Sequence, residues 1–379
     1  MDQGITETAF ALAFEGMDVD QAFALREGLE WRHFKCSSPT RFSGLLSVDV
    51  LDAYLRTDGA RTPRIGMADE ARHGSAGVPE DEFALPDGRV DLPRLLTRFD
   101  QGASLVVSQF HETHPPLARF CRGLERLFLH AVQSNIYLTP PAAQGFRTHF
   151  DTHDVLVLQI DGRKTWRVWD GERVIRPTRR TPWPGNMPPI GEPNIVVMEP
   201  GDALYIPRGF MHDASTDEGG RSLHATIGLM EGSWAQALRA LVDESEILDP
   251  DLRESLPSWR IGEADFLPVL TEKLTRLATP GNAERLSNLL LEQLARDRQP
   301  LPGRGLFAPE PEGRLRLLDT MHTHLVQGAD GTSTLFWTGG AVPLTPGEAE
   351  ELVALSEGME PGHSPFVLKL WKMGLLEAM

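Results

Sequence analysis

The sequence predicts a mainly β core with α additions: an antiparallel sandwich or small barrel of the jelly-roll kind, followed by a helical module and a small mixed module. Three observations predict it. Between Ala131 and Leu229, short apolar runs at 134–138, 154–160, 164–169, 195–199, 203–206 and 222–228 alternate with Gly, Pro and Asp, the rhythm of many short strands. After Gly232 that rhythm stops, and 233–248 and 265–298 carry Ala, Leu, Glu and Arg at helical spacing, divided by Pro250 and Pro257. At 379 residues the chain exceeds one small domain, and about 150 residues per domain gives two or three. The boundaries that follow are 1–231 for the β domain with its N-terminal helical elements, 232–298 for a helical domain, 299–313 for a Pro/Gly-rich linker, and 314–379 for a winged-helix-like domain.

Taken in order, 1–35 mixes Phe, Ala and Leu with acids and reads as helix, an outlying layer before the main core. Ser47 is placed to cap a helix whose apolar positions Val48, Leu51 and Leu55 recur at helical spacing. Gly, Pro, Asp and Arg crowd 56–89, which reads as strand pieces and loops. Helices follow at 91–99 and 116–130, the second with a clear apolar stripe. Inside the strand-rich region, Pro200-Gly201-Asp202 signals a turn and 203–206 a strand, and Pro207-Arg208-Gly209 is a second turn that hands His212 to the next strand. Beyond the linker, 335–344 reads as a hairpin with Gly339-Gly340 at its turn, and helices are expected over 346–357 and 365–379.

Composition narrows the partners. Lys+Arg 37 against Asp+Glu 54 leaves a formal charge of -17, which disfavours nucleic acid and anionic membranes and admits basic proteins or peptides, although solubility alone accounts for it equally well. Cys36 and Cys121 are the only cysteines, too few for a disulfide framework, so a reducing compartment is expected. No signal-peptide pattern opens the chain and no apolar run reaches membrane-spanning length, so the expected location is the cytoplasm.

The chemistry concentrates at His149-x-Asp151. In an extended segment residues two apart share a face, so an imidazole and a carboxylate project side by side. A second histidine from a later strand, His212, would complete two His and one carboxylate, a set suited to non-haem Fe(II) with positions left open. A bare His-x-Asp among 12 histidines is weak evidence, and His153 and His224 fall in the same region as rival ligands. His153 shares the face of His149 but would draw every ligand from one strand, so it reads as lining or structural. His224 reads as a packed histidine that can touch the pocket. Lys164 shares a strand face with Trp166 and Val168, an odd place for a solvated charge. Turned inward, it needs an anion, and a dicarboxylate would serve; Tyr137 and Asn135, on one face of the preceding strand, would add hydrogen bonds to it. Turned outward, it is an ordinary surface lysine.

Asn135-x-Tyr137, His149-x-Asp151, Asp154-Val-x-Val-Leu-Gln159, Gly162-x-Lys164-x-Trp166, the run from Pro200 to His212, and Ser222-x-His224-x-Thr226 together resemble the ribosomal-oxygenase branch of the JmjC/cupin 2-oxoglutarate-dependent hydroxylases. The resemblance implies a double-stranded β-helix, Fe(II) held by His149, Asp151 and His212, and 2-oxoglutarate held through its far carboxylate by Lys164 and Tyr137, with Asn135 near the metal-bound end and His224 against the pocket. It also implies hydroxylation of a protein or peptide side chain, a ribosomal protein among the candidates, with O2 consumed and 2-oxoglutarate converted to succinate and CO2. For the later segments it implies a homodimer built through the helical module, and a winged-helix-like tail whose few basic residues, Lys369 and Lys372, argue for protein contact over nucleic acid. Where some relatives carry a serine that helps hold the cosubstrate, this chain has Gly228. The rival readings are a non-catalytic cupin-like metal-binding or scaffold protein, an oxygenase of small metabolites, and a zinc hydrolase.

Overall fold

The computed structural model describes residues 3–182, 189–260, 265–297, 313–317, 323–327, 331–337, 340–356 and 364–378, and the chain divides into two compact units, Gln3–Glu231 and Gly232–Met379. In the first unit, helices α1 (Gln3–Ala13) and α2 (Val19–Glu27) precede strand β1 (Arg32–Phe34). Then come α3 (Val48–Leu55), β2 (Ile65–Ala68), α4 (Glu70–His73), α5 (Leu92–Asp100), β3 (Ser104–Val107) and α6 (Pro115–Phe128). The strand-rich region supplies β4 (Ala131–Thr139), β5 (Asp154–Gly162), β6 (Lys164–Glu172), β7 (Asn194–Met198), β8 (Ala203–Ile206), β9 (Phe210–Ser215) and β10 (Ser222–Met230).

Local chemistry explains the helix starts. Ser47 accepts from the Val50 N–H and Asp91 from the Arg94 N–H, each satisfying a donor that the first turn leaves orphaned, while Pro115 and Pro116 open α6 where no N–H is needed. Leu117, Phe120, Cys121, Leu124 and Phe128 then bury one stripe of α6.

Seven strands form one sheet in the order β1-β8-β5-β10-β4-β3-β2, and three form a second, β7-β6-β9; every pairing is antiparallel. These two sheets are the jelly-roll architecture that the strand rhythm predicts, and the double-stranded β-helix that the resemblance implies. One expectation is corrected: 32–34 is not helical but an edge strand registered on β8, Arg32 opposite Tyr205 and Phe34 opposite Ala203. Gly28 ends α2, Leu29 takes the left-handed conformation at φ 50, and a three-residue strand is too short to show alternation in sequence.

The central strands are buried on both faces, which is why β5 and β10 read as nearly continuous apolar runs. Leu156 and Leu158 on β5, Ala225 and Ile227 on β10 and Ile136 on β4 join a core with α1, α3, α5 and α6. The alternate residues Val155 and Val157 face the other way, into a smaller cluster between the sheets with Trp166, Val168, Met198, Leu204 and Ile206. That inner space holds the polar residues considered below.

The second unit contains α7 (Trp234–Leu248), α8 (Leu267–Leu277) and α9 (Pro280–Asp297), the three helices described within the predicted helical module. It continues with β11 (Leu315–Leu317), β12 (His324–Gln327), β13 (Ser333–Trp337), β14 (Gly340–Leu344), α10 (Pro346–Ser356), α11 (Pro365–Lys372) and β15 (Leu376–Ala378). β12, β13 and β14 form one small sheet, β11 and β15 a pair. The expected hairpin is β13–β14, with Trp337 opposite Gly340. Its Gly339, like the bulk of the expected linker 299–313, lies outside the described residues. The helix expected over 365–379 stops at Lys372: Gly374 takes φ 72, and the chain turns into β15.

Candidate active site

His149 and His212 come together because their backbones pair, His149 forming an isolated antiparallel bridge to His212 on the edge strand β9. The His149 N–H donates to the His212 carbonyl at 3.0 Å and the His212 N–H returns the bond at 2.7 Å. Gly209, at φ 83, ends the turn that delivers β9, and its N–H donates to the Asp151 carbonyl at 3.0 Å. One donor atom each from His149, Asp151 and His212 lies within 4.8 Å of the other two. The two imidazoles are 4.5 Å apart, centre to centre, and His212 Nε2 stands 3.5 Å from Asp151 Oδ2.

Ring orientation is set from behind. His149 Nδ1 lies 2.8 Å from the Arg147 carbonyl and His212 Nδ1 3.0 Å from the Phe210 carbonyl. A carbonyl can only accept, so both Nδ1 atoms carry the proton and each ring keeps Nε2 as its ligand atom. Burial lowers the His149 pKa, and the neighbouring His212 lowers it further. Burial opposes charge on His212 too, but the hydrogen bond and charge of Asp151 outweigh it and raise that pKa. For Asp151 burial acts upward, yet contact with His212 and the fields of His149 and His153 hold the carboxyl well below its usual range. Asp213, beside His212, accepts from Thr148 Oγ1 at 2.5 Å and from Arg167 Nε and Nη2 at 2.6 and 2.9 Å, tying the residue before one imidazole to the residue after the other.

Lys164 points inward, resolving the strand parity left open above. It is 5 % exposed, and Nζ donates to Thr139 Oγ1 at 2.8 Å. Among the described residues no carboxylate pairs with it, and burial alone pushes its pKa down to about 7. The rest of the pocket follows from register, with His224 opposite Tyr137 and Thr226 opposite Asn135. His224 stacks on Tyr137 at 5.0 Å with an interplanar angle of 10° and meets Trp166 edge-on at 5.5 Å. Burial, then the Lys164 charge, keeps the His224 pKa well below its ordinary value, so His224 is neutral. Tyr137 is held protonated by burial and by the charge of Asp151, against a hydrogen bond from Asn135. Asn135 Oδ1 also accepts the Gln109 N–H at 3.0 Å, which fixes its amide. Trp166 Nε1, His224 Nδ1 and Gln159 Oε1 are buried without a hydrogen-bond partner. Buried polar atoms are rarely left so, and their gathering around an uncompensated lysine marks a polar ligand site.

His153 is not part of the three-residue donor group. Its imidazole lies over Gly228, where a Cβ would come within 2.7 Å of Cδ2 and 2.8 Å of Nε2. The departure at Gly228 therefore has a local cause, since His153 fills the volume a serine would need. Sequence reasoning missed three supporting residues: Thr139, Asp213 and Asp154. Thr139 was within reach, as it continues the Asn135 and Tyr137 face by one step of two. Asp213 and Asp154 act through contacts distant in sequence, for which local pattern carries no signal.

The model of the JmjC domain matches residues 106–237. Among curated proteins, the bifunctional lysine-specific demethylase and histidyl-hydroxylase NO66 of Aedes aegypti is 33% identical over 228 residues, covering 58% of this chain and 35% of that protein. Human ribosomal oxygenase 1 is 33% identical over 206 residues, 54% of this chain and 31% of that protein. The chain thus spans about a third of the length of the curated relatives it matches. Among solved structures, Escherichia coli ycfD superposes with a TM-score of 0.54 at 19% identity, covering 91% of this chain and 94% of that one. Another structure of that ribosomal oxygenase, in complex with cobalt and 2-oxoglutarate, gives 0.52 at 17% identity over 92% and 94%. At such identity these structures speak for the fold. The strand order, the pairing of His149 with His212 and the JmjC domain model matched over residues 106–237 agree, and the chain is similar there to proteins named histidyl-hydroxylase NO66 and ribosomal oxygenase 1.

Proposed function

We propose that this chain is an Fe(II)- and 2-oxoglutarate-dependent oxygenase that hydroxylates an amino-acid side chain of a protein or peptide, with a basic ribosomal protein as the favoured target. The carrying observation is Lys164: a buried cation with no carboxylate partner among the described residues, its charge acting on His224, whose neighbour Trp166 lies 6.1 Å from His212 of the two-His, one-Asp donor set. That donor set suits a divalent iron with positions left for a chelating keto acid and O2. The pocket suits the other end of the same diacid, since Lys164 and Tyr137 offer donors and the unpartnered Trp166 Nε1 another.

His149, Asp151 and His212 would hold the metal; Lys164 and Tyr137 would hold the far carboxylate, with Asn135 and His224 shaping the space between. Bound iron with 2-oxoglutarate supplies the reductive activation of O2 that hydroxylation of an unactivated carbon requires, succinate and CO2 being the co-products. The protein's share is placement. Two Nδ1–H bonds hold the imidazoles in one tautomer, and Asp151 stays ionised beside them. Lys164 fixes the diacid by charge where water cannot screen it, and the neutral His224 ring avoids a second cation. The formal charge of -17 favours encounter with a basic polypeptide.

In the second unit, Trp234, Leu238 and Val242 recur at helical spacing on α7 and are 77, 52 and 43 % exposed, and Leu267, Leu270 and Leu274 on α8 are exposed likewise. Such stripes support a homodimer through the helical module, with the winged-helix-like tail as a protein-contact module. Among the described residues no helix is long and apolar enough to cross a membrane; Cys36 and Cys121 are not joined in a disulfide, which supports a cytoplasmic site of action.

The test is anaerobic addition of Fe(II) and 2-oxoglutarate to the pure protein. A metal-to-keto-acid charge-transfer band is expected, lost in His149→Ala or Asp151→Ala. No band, together with no succinate formed in air, would sink the oxygenase reading. Mass spectrometry of ribosomal proteins from cells with and without the gene then seeks one added oxygen, and its absence from every ribosomal protein would remove that target class.

A further inference from the structure

We infer that Asp154 is a positioning residue for the metal centre: through a buried cluster with Arg26, Tyr205 and Glu231 it fixes the segment carrying Asp151 against the turn that delivers His212. The inference rests on reading His149, Asp151 and His212 as metal ligands.

Backbone and side-chain hydrogen bonds zip these two segments together. Three are backbone to backbone: the His149–His212 pair and the bond from Gly209 N–H to the Asp151 carbonyl. Side chains add to these: Thr148 Oγ1 donates to Asp213 Oδ2 at 2.5 Å, and the Arg208 N–H donates to Asp154 Oδ1 at 3.0 Å, which ties the turn before β9 directly to the start of β5. Arg208 lies in the turn between β8 and β9, four residues before His212; Asp154 starts β5, three residues after Asp151.

Asp154 is itself immobilised. Its Oδ2 accepts from Tyr205 Oη at 2.7 Å and from Arg26 Nε at 3.1 Å. Arg26 Nη2 donates to Glu231 Oε1 at 3.0 Å, and that oxygen also accepts the Asp154 N–H at 3.2 Å. Tyr205 is fully buried on β8, and the Arg26 guanidinium lies 4.5 Å above the Phe128 ring, so both donors sit on elements packed into the main core. One carboxylate thus gathers α2, β8 and the β8–β9 turn, while the Asp154 N–H and Arg26 bring in Glu231 just after β10. A surface aspartate at that place could not set a neighbour's position; one held on three sides can. Asp154 is outside the donor group and acts through backbone only.

The experiment uses the full-length protein loaded with Co(II), reading the dissociation constant, the visible d–d spectrum and Tm. Loss of an outer partner of a metal site commonly costs about 10- to 100-fold in affinity. Asp154→Ala is expected to weaken Co(II) by that factor and to alter the spectrum. Asp154→Asn keeps an oxygen for the Arg208 N–H and offers its amide to Tyr205 Oη, so it should restore affinity to within about 3-fold of wild type while still losing Tm, because Arg26 keeps only its Glu231 partner. Should Asp154→Ala fail to fold, Tyr205→Phe, which removes one donor only, is expected to show a smaller loss in the same direction. Leu95→Ala, in the main core on α5, supplies a variant of lowered Tm that should bind Co(II) normally. Wild-type affinity and spectrum in Asp154→Ala or in Tyr205→Phe, no restoration by Asn, or an equal loss in Leu95→Ala each overturns the inference. A separate outcome, wild-type protein that binds no Co(II) or binding unaffected by His149→Ala, overturns the metal reading itself and this inference with it.

Discussion

On the outer face of the seven-stranded sheet, Leu156, Leu158, Ile136, Ala225 and Ile227 are fully buried against helices; on the inner face of the same strands, Gln159, Tyr137, Thr139 and His224 surround a lysine and leave buried polar atoms unpaired. The alternation of a strand lets one segment serve both purposes, because neighbouring residues never share a face. Each leucine buried outside contributes about 1.5–3 kcal/mol of burial free energy. Each unpartnered polar atom inside costs something of similar size. The outer face therefore stabilises what the inner face holds in a strained, ligand-ready state, and variants on the two faces should separate cleanly.

The largest expected effect is at the ligands. His149→Ala should abolish turnover and cancel the stabilisation that saturating metal gives the wild type, about 2.7 kcal/mol at a hundredfold excess over Kd. Thermal melts with and without Mn(II) check this; a metal-dependent Tm shift surviving in the variant would break the assignment. On the outer face, Leu156→Ala should cost about 2–5 kcal/mol in denaturant titration through its cavity, with the 2-oxoglutarate affinity of the folded protein unchanged.

Next comes Lys164, where the two faces should give opposite signs. Lys164→Met removes the cation proposed to face the far carboxylate and should weaken 2-oxoglutarate by roughly 100-fold while leaving metal affinity nearly intact. The same change should stabilise the ligand-free protein, by on the order of 2 kcal/mol, since a buried uncompensated charge gives way to an apolar chain. The pH dependence follows. The folded pKa of about 7 lies below the 10.5 of the unfolded side chain, so between those values the unfolded chain binds the extra proton, and ligand-free stability rises with pH across that window. Below pH 7 the penalty is present in full. Binding of the dianion restores the charge, so above pH 7 it should take up a proton, measurable by calorimetry in two buffers of different ionisation heat; no uptake, or an equal loss of metal and 2-oxoglutarate binding in Lys164→Met, would make Lys164 structural.

The fold was legible because β5 and β10 are apolar on both faces and the turns at Pro200-Gly201 and Pro207 are chemically marked. The short edge strand at 32–34 was not, since its pairing with β8 is decided by a partner about 170 residues away, beyond any local pattern. At the site, the face shared by His149 and Asp151 and that shared by Lys164, Trp166 and Val168 were legible from the period of two. Which way Lys164 faced was not, because parity fixes relations within a strand and leaves its direction to the sheet. Asp154 stood in the sequence as an acid opening an apolar strand; its three donors come from α2, β8 and the turn after it.

The smallest effect sharpens the comparison most. Gly228 lies on the inner face of β10, opposite Gln133 and Val155, with the His153 imidazole against its Cα. A serine placed there would put Cβ 2.7 Å from that ring, so something must move. His153 is half-buried and can swing toward solvent, unlike Leu156 or Ile227, so Gly228→Ser should cost less than about 1 kcal/mol, below the usual 1–3 kcal/mol for overpacking a closed core. The consequence should be local: the His153 ring resonances shift in NMR while those of the outer-face methyls stay put. Joined to His153→Ala, the serine should be accommodated with no loss of Tm. A large loss from Gly228→Ser that His153→Ala does not relieve would mean that β10 itself, and not the imidazole, demands glycine at this position.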